Sequence, residues 1–325
     1  MMAITTSAST ATRNSTSRMP MVRRARPSWN NSRQRRGVSI RISCALTACG
    51  RRREWGVRLI MRPPAQAIRR ALSEHPERDR IDPDRAAREH AAYGQALRAA
   101  GVAVTVLPAE AEMPDACFTW DTLLAFPRWG EDGTALLVAA RPGAPSRRPE
   151  VASVLACARQ LAPAATVVEI NEPGTLDGGD VITYGSRVAI GVSARTNVDG
   201  ARQLARAVQR FGYQAYLCPV ADRLHLASAV SPIGPRRLIG TRSGFQSLDS
   251  AGPAVAPKEV ERLLIPDDAV AGANVLAAGG RCFVARGFPA AVQALTKAGE
   301  SVVDVELDEF LRADGGPTCL VAPVP

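Results

Sequence analysis

Four short segments of this 325-residue chain carry side chains whose types and spacing could do chemistry. Asp314-Gly315-Gly316-Pro317-Thr318-Cys319-Leu320-Val321 places a cysteine after a glycine-rich turn, at the head of an apolar run. A cysteine so placed can be exposed and activated as a thiolate, although a buried inert thiol is the commoner use of the residue. Leu224-His225-Leu226 sets a lone histidine in an apolar stretch read as a strand. Such a histidine supplies an acid/base near neutral pH; taken alone it is more often a satisfied core residue.

The other two segments are acidic. Pro114-Asp115-Ala116-Cys117-Phe118-Thr119-Trp120-Asp121-Thr122 holds two aspartates six positions apart. In an alternating strand they share a face. Two carboxylates beside Phe118 and Trp120 suit a planar cation, which the acids pair with and the rings stack on. Solvated acids at a strand end are the plain alternative. Gly174-Thr175-Leu176-Asp177-Gly178-Gly179-Asp180-Val181 brackets a Gly-Gly pair with acids, and glycine allows a sharp turn or a close approach of backbone. An ordinary turn would use the same residues.

The elements that must position these groups begin at Val57. Val57–Met61 reads as a buried strand stopped by Pro63-Pro64, Asp84–Ala100 as a helix ended by Gly101, and Val102–Leu107 as a strand. Paired strands are expected over Cys117–Phe126 and Ala135–Ala139, then a helix over Arg148–Leu161 and a strand over Ala165–Ile170. Val181–Tyr184 and Val188–Ile190 form a hairpin through Gly185-Ser186, followed by helix Val198–Phe211 and strand Gln214–Cys218. Leu224–Val230 pairs with Arg237–Gly240; an irregular segment and Leu263–Ile265 follow. Val275–Ala278, Cys282–Ala285, helix Ala290–Ala298 and Val302–Glu306 complete the series. The unit strand–strand–helix–strand thus recurs about five times, at a repeat length in the range of propellers and solenoids. A closed ring of five such units leaves an axial cavity for a small ligand. A doubly wound sheet is the alternative from pattern alone.

Composition narrows the function classes. Residues 1–54 hold twelve Arg, no Lys and one acid, Glu54, a net of +11, so the +10 of the whole chain leaves residues 55–325 at −1. The basic charge is confined to the leader, which argues against a nucleic-acid-binding domain. No run approaches the length of a membrane span. Seven cysteines with wide spacing and no C-x-x-C point to a reducing compartment and a cytoplasmic location, and they show no zinc-ligand spacing with the three histidines. Residues 1–55, rich in Ser, Thr and Arg, are expected to be a disordered extension. They read as a mis-called start, a targeting segment or an interaction tail; residues 56–325 read as the catalytic domain.

Taken together, the segments resemble the dimethylarginine dimethylaminohydrolase family of the guanidino-group modifying superfamily. The resemblance runs from about Val57 to the C-terminus. It is carried in order by PDACFTWDT (Pro114–Thr122), RPGAPSRRPE (Arg141–Glu150), PGTLDGGDV (Pro173–Val181), ARTNVDGARQL (Ala194–Leu204), LHLASAV (Leu224–Val230) and DGGPTCL (Asp314–Leu320). It implies a five-bladed α/β propeller of repeated ββαβ units. It also implies that N-omega-methylated arginine is hydrolysed to citrulline and methylamine or dimethylamine, without metal or cofactor. Cys319 matches the nucleophile, His225 the general acid/base and Asp177 the acid that orients it. Asp121 matches the acid on the guanidinium nitrogens, Asp115 a residue near the substrate amino group and Phe118 the aromatic against the guanidinium. Arg147 and Arg195 match the arginines on the substrate carboxylate. Trp120 stands where an acid is common, and Asp177 where glutamate is usual, one methylene shorter. His225 is followed by Leu226-Ala227, so the His-x-Asp pattern of arginine deiminases is absent.

The implied partner is a small guanidino compound, not nucleic acid or membrane; a homodimer is left open. Competing readings are an amidinotransferase or deiminase-like enzyme on another guanidine, and a guanidino-ligand binding protein without turnover.

Overall fold

The computed structural model describes residues 58–130 and 134–325. The expected extension at residues 1–55 lies outside them. The first strand, β1 (Arg58–Met61), is followed by helix α1 (Pro83–Ala99) and β2 (Ala103–Val106). Next come β3 (Leu123–Phe126), β4 (Leu136–Ala139), α2 (Glu150–Leu161) and β5 (Thr166–Glu169). The third group is β6 (Val181–Tyr184), β7 (Arg187–Val192), α3 (Val198–Gln209) and β8 (Gln214–Pro219). The fourth is β9 (Val230–Gly234), β10 (Arg237–Thr241), α4 (Arg242–Asp249) and β11 (Glu261–Ile265). The fifth is β12 (Leu276–Ala278), β13 (Arg281–Ala285), α5 (Pro289–Lys297) and β14 (Val302–Val305). A short helix, α6 (Asp308–Leu311), and β15 (Ala322–Val324) close the chain.

These strands make five three-stranded sheets: β3-β4-β5, β6-β7-β8, β9-β10-β11, β12-β13-β14 and β15-β1-β2. In each, the first strand runs antiparallel to the second and the second parallel to the third. The antiparallel step is a short connection; the parallel step needs a crossover, which a helix supplies. The first strands neighbour one another, β15 against β3, β6 against β9 and β9 against β12. This is the expected five-bladed α/β propeller. The last blade is assembled from both ends of the described chain, because β15 joins β1.

Local chemistry sets the boundaries. Asp82 caps α1 by accepting from the Asp84 and Arg85 amides, with Pro83 at the first helical position. Asn197 caps α3 and Thr241 caps α4 in the same way. The β12–β13 turn uses Gly279 and Gly280, with φ of 56° and 67°, the left-handed values that a tight hairpin requires. The middle strands of the blades are almost wholly buried, with Leu136, Leu137, Val138, Val188, Ile190, Leu238, Ile239, Phe283 and Val284 inaccessible. The apolar runs of the sequence are therefore strands covered on both faces.

Three expectations are corrected. Cys117–Phe126 is not one strand: Thr119–Asp121 is a 3-10 turn and the strand starts at Leu123. Asp115 and Asp121 therefore do not share a strand face. His225 is not inside a strand; it has extended backbone and precedes a 3-10 turn over Leu226–Ser228. The segment read as irregular after β10 contains α4. In all three places short polar or small residues let the chain turn inside an apolar run, which periodicity alone does not register.

Candidate active site

Every blade contributes a polar residue from the loop that enters its first strand. Asp121 precedes β3, Asp177 precedes β6, His225 precedes β9, Asn274 precedes β12 and Cys319 precedes β15. Four of these were expected from the sequence. Asp121, His225 and Cys319 line one small cavity, together with Asp115, Phe118, Arg147, Arg195, Leu72, Leu224, Ala313, Asp314 and Gly315.

The histidine is held by a buried acid. His225 Nε2 lies 3.1 Å from Asp177 Oδ2, and the other oxygen, Oδ1, accepts from the Gly143 amide at 2.8 Å. Asp177 is wholly inaccessible, and the shorter aspartate reaches the ring. Asp180 accepts from Ser193 Oγ and from the Leu226 amide, which fixes the backbone next to His225. Burial pushes the Asp180 carboxyl up to about 6. Gly179 lets ring and loop approach: a Cβ there would stand 2.5 Å from His225 Nδ1 and 2.9 Å from Asp121 Oδ1. Burial would favour neutral imidazole, but the charges of Asp121, Asp180 and Asp177 and the Asp177 bond outweigh it and lift His225 to about 9. At neutral pH the ring is an imidazolium, the form a general acid needs.

Asp121 Oδ1 accepts from the Gly179 amide at 2.8 Å, and Oδ2 pairs with Arg147 at 2.6 Å. Burial works to raise this carboxyl, yet the positive His225 and Arg147 and these bonds hold it below the ordinary range. Arg147 also reaches Glu150 and the Asp115 and Phe118 carbonyls. Its guanidinium is thus engaged with the protein, although the sequence suggested it for a substrate carboxylate. Burial raises Glu150 to about 7 against the pull of Arg147. Arg195 lines the same cavity, and among the described residues its guanidinium makes no hydrogen bond or ion pair.

Cys319 is part-exposed at the head of the turn before β15. Its amide donates to Gly316 O, and its carbonyl accepts from the Trp120 amide at 3.2 Å. The indole of Trp120 donates to Gly178 O at 2.8 Å, so this residue ties the cysteine loop to the loop of Asp177. Tyr93, on α1, donates to Pro317 O. Asp314 adopts a left-handed φ of 56°, and its carboxylate accepts from Ser73 Oγ and the Glu74 amide. Desolvation and the nearby Asp121 charge raise the Cys319 thiol, partly offset by donors at Gly316, Thr318 and Asn274. Leu72 covers the cavity, its amide bonded to Asp115 Oδ1 at 3.0 Å; burial raises that carboxyl.

Two residues went unread in the sequence, Leu72 on the cavity and Asn274 beside Cys319. Leu72 sits among proline and arginine with no periodic signal. Asn274 had one available signal, its equivalence by repeat to the polar residue that opens every other blade. Asp121, Asp177 and His225 bring ligand-type atoms within 4.8 Å of one another, as do Glu89 of α1, Glu306 and Asp308 of α6. No helix among the described residues is long and apolar enough to cross a membrane.

A family model described as N,N dimethylarginine dimethylhydrolase, eukaryotic, matches residues 63–230. The chain is 32% identical over 262 residues to an N(G),N(G)-dimethylarginine dimethylaminohydrolase of Streptomyces coelicolor, covering 80% of this chain and 94% of that one. It is 28% identical to the protein of the same name from Pseudomonas aeruginosa, over 81% and 97% of the two chains. Among solved structures, the Pseudomonas aeruginosa enzyme in complex with citrulline superposes with a TM-score of 0.71 at 27% identity, over 82% of this chain and 98% of that one. A dimethylarginine dimethylaminohydrolase adduct with S-methyl-L-thiocitrulline gives 0.72 at 26%, over the same shares. With its motifs, its five blades and these relatives in agreement, the chain belongs to the dimethylarginine dimethylaminohydrolase family.

Proposed function

We propose that this protein hydrolyses N-omega-methylated arginine to citrulline and methylamine or dimethylamine, with residues 56–325 as its catalytic unit. The observation that carries the reading is the single cavity shared by Cys319, His225, Asp121 and Phe118. Asp121 faces the guanidinium nitrogens, Asp177 holds His225 from behind, and Phe118 packs on the guanidinium face. Arg195 pairs the substrate carboxylate, and Asp115 takes the amino group. The Cys319 thiolate attacks the central guanidinium carbon. His225, protonated at neutral pH, delivers its proton to the departing amine. The product of this half-reaction is a covalent thiouronium. Neutral His225 then takes a proton from water, the oxygen attacks the same carbon, and citrulline leaves as the thiolate is regenerated.

The resting thiol lies high because it is desolvated beside Asp121. A bound guanidinium places a positive charge at that spot, so substrate itself favours the thiolate. The Pseudomonas aeruginosa relative holding citrulline is consistent with this product. Incubation with arginine, mono- and dimethylarginines and other guanidines, with citrulline and released amine measured, tests the reading. Transfer of an amidino group to an amine would replace it with an amidinotransferase. Tight methylarginine binding with no product would replace it with a binding protein.

A further inference from the structure

We propose that Asn274 is a catalytic residue whose carboxamide N–H is the fixed hydrogen-bond donor to the Cys319 sulfur. The inference rests on the reading of Cys319 as nucleophile and adds a group to it. Asn274 Oδ1 accepts from the Thr318 amide at 2.9 Å and from Thr318 Oγ1 at 3.0 Å. A backbone amide can only donate, so the side-chain atom facing it must be the oxygen. The Nδ2 group is thereby turned the other way, where it lies 3.6 Å from Cys319 Sγ. The residue before the nucleophile thus sets the orientation of the amide that serves the nucleophile.

Its surroundings support a dedicated placement. Asn274 is 7% exposed and sits in the loop that enters β12, 45 positions before Cys319. Gly316 makes room for it, since a Cβ there would stand 2.7 Å from the carboxamide. The chemical need is specific. Asp121 puts a negative charge near the sulfur, and a thiolate there needs a donor. A lysine or arginine would meet that need but would also repel the cationic guanidinium. A neutral amide donor does not. The thiouronium sulfur is a weaker acceptor than a thiolate, so this bond strengthens again as the intermediate expels the sulfur. Asn274 therefore acts on both half-reactions.

The test reads the sulfur directly. Cys319 in the full-length protein is alkylated with iodoacetamide across pH, and labelling is followed on the Cys319 peptide by mass spectrometry. Asn274→Asp keeps the acceptor for Thr318 and replaces the donor by an oxygen. Its labelling midpoint is expected to rise by about one pH unit, with labelling below the midpoint falling roughly tenfold. Asn274→Leu, close in volume and without a donor, should move the midpoint the same way and carries the test if the aspartate variant does not fold. In turnover, kcat should fall and KM hold. An unmoved or lowered midpoint, or a raised midpoint with unchanged kcat, overturns the assignment. Turnover that survives in Cys319→Ser would instead overturn the nucleophile itself, so the two failures are distinguishable.

Discussion

His225 Nε2 meets Asp177 Oδ2 at 3.1 Å, and the amide of Gly143 pins the second oxygen of the same carboxylate. An anion held this way both aims the ring and favours its protonated form. Asp177→Asn keeps the shape and removes the charge. Its kcat is expected to fall about a hundredfold, with the alkaline limb, where His225 loses its proton, moving to lower pH. A kcat–pH profile checks both; an unchanged limb would detach Asp177 from the imidazolium.

Cys319→Ser changes one atom in a packed turn. Citrulline release should be lost while the thermal midpoint stays within a few degrees of the parent. Residual turnover near the parent rate would require a different nucleophile.

Stability should decline with alkalinity. His225 titrates at about 9 in the folded protein against 6.5 ordinarily, so the folded state holds the extra proton between those values. Its contribution is complete below about 6.5 and is lost as pH rises through about 9. Glu150, raised to about 7 from 4.5, acts in the same sense at lower pH. Denaturant melts between pH 6 and 10 should show falling stability, and His225→Gln should flatten the upper part of that decline.

The two arginines of the cavity should separate cleanly. Arg147 pairs with both Asp121 and Glu150 in a buried site. Arg147→Ala is expected to cost about 3–5 kcal/mol by leaving those charges unpaired. Arg195→Ala should leave the melt almost unmoved and raise KM for a substrate bearing a free carboxylate. A large stability loss at Arg195, or none at Arg147, would reverse this division.

Gly179→Ala puts a methyl into the His225 ring. Overpacking of this kind costs about 1–3 kcal/mol, and kcat should drop more steeply than stability because the ring must turn from its acid. Circular dichroism melts alongside citrulline assays measure the two effects.

Much of this was legible in the chain. The blade repeat showed because two stretches, Gly185–Val220 and Gly279–Leu307, both run hairpin, helix, glycine and strand. The candidate site residues stood out as polar groups inside apolar runs. What the sequence hid was conformation at those same places. Asp121 sits on a 3-10 turn and His225 just before one, because side chains aimed into an axial cavity must leave the strand ladder first. The engagement of Arg147 was hidden too: Glu150 lies three residues away in sequence, but Asp121 reaches it only through the fold. Asn274 was overlooked because asparagine before a short strand looks like a turn residue.

The strand Ala322–Val324 lies against β1 three residues after Cys319. A nascent chain therefore carries its imidazole, its carboxylates and four blades long before it can carry out a reaction. The sulfur is stationed only when the final clasp zips onto a strand made some 260 residues earlier. Deleting Ala322–Val324 would unfasten that clasp and silence the enzyme with Cys319, His225 and the acids still present.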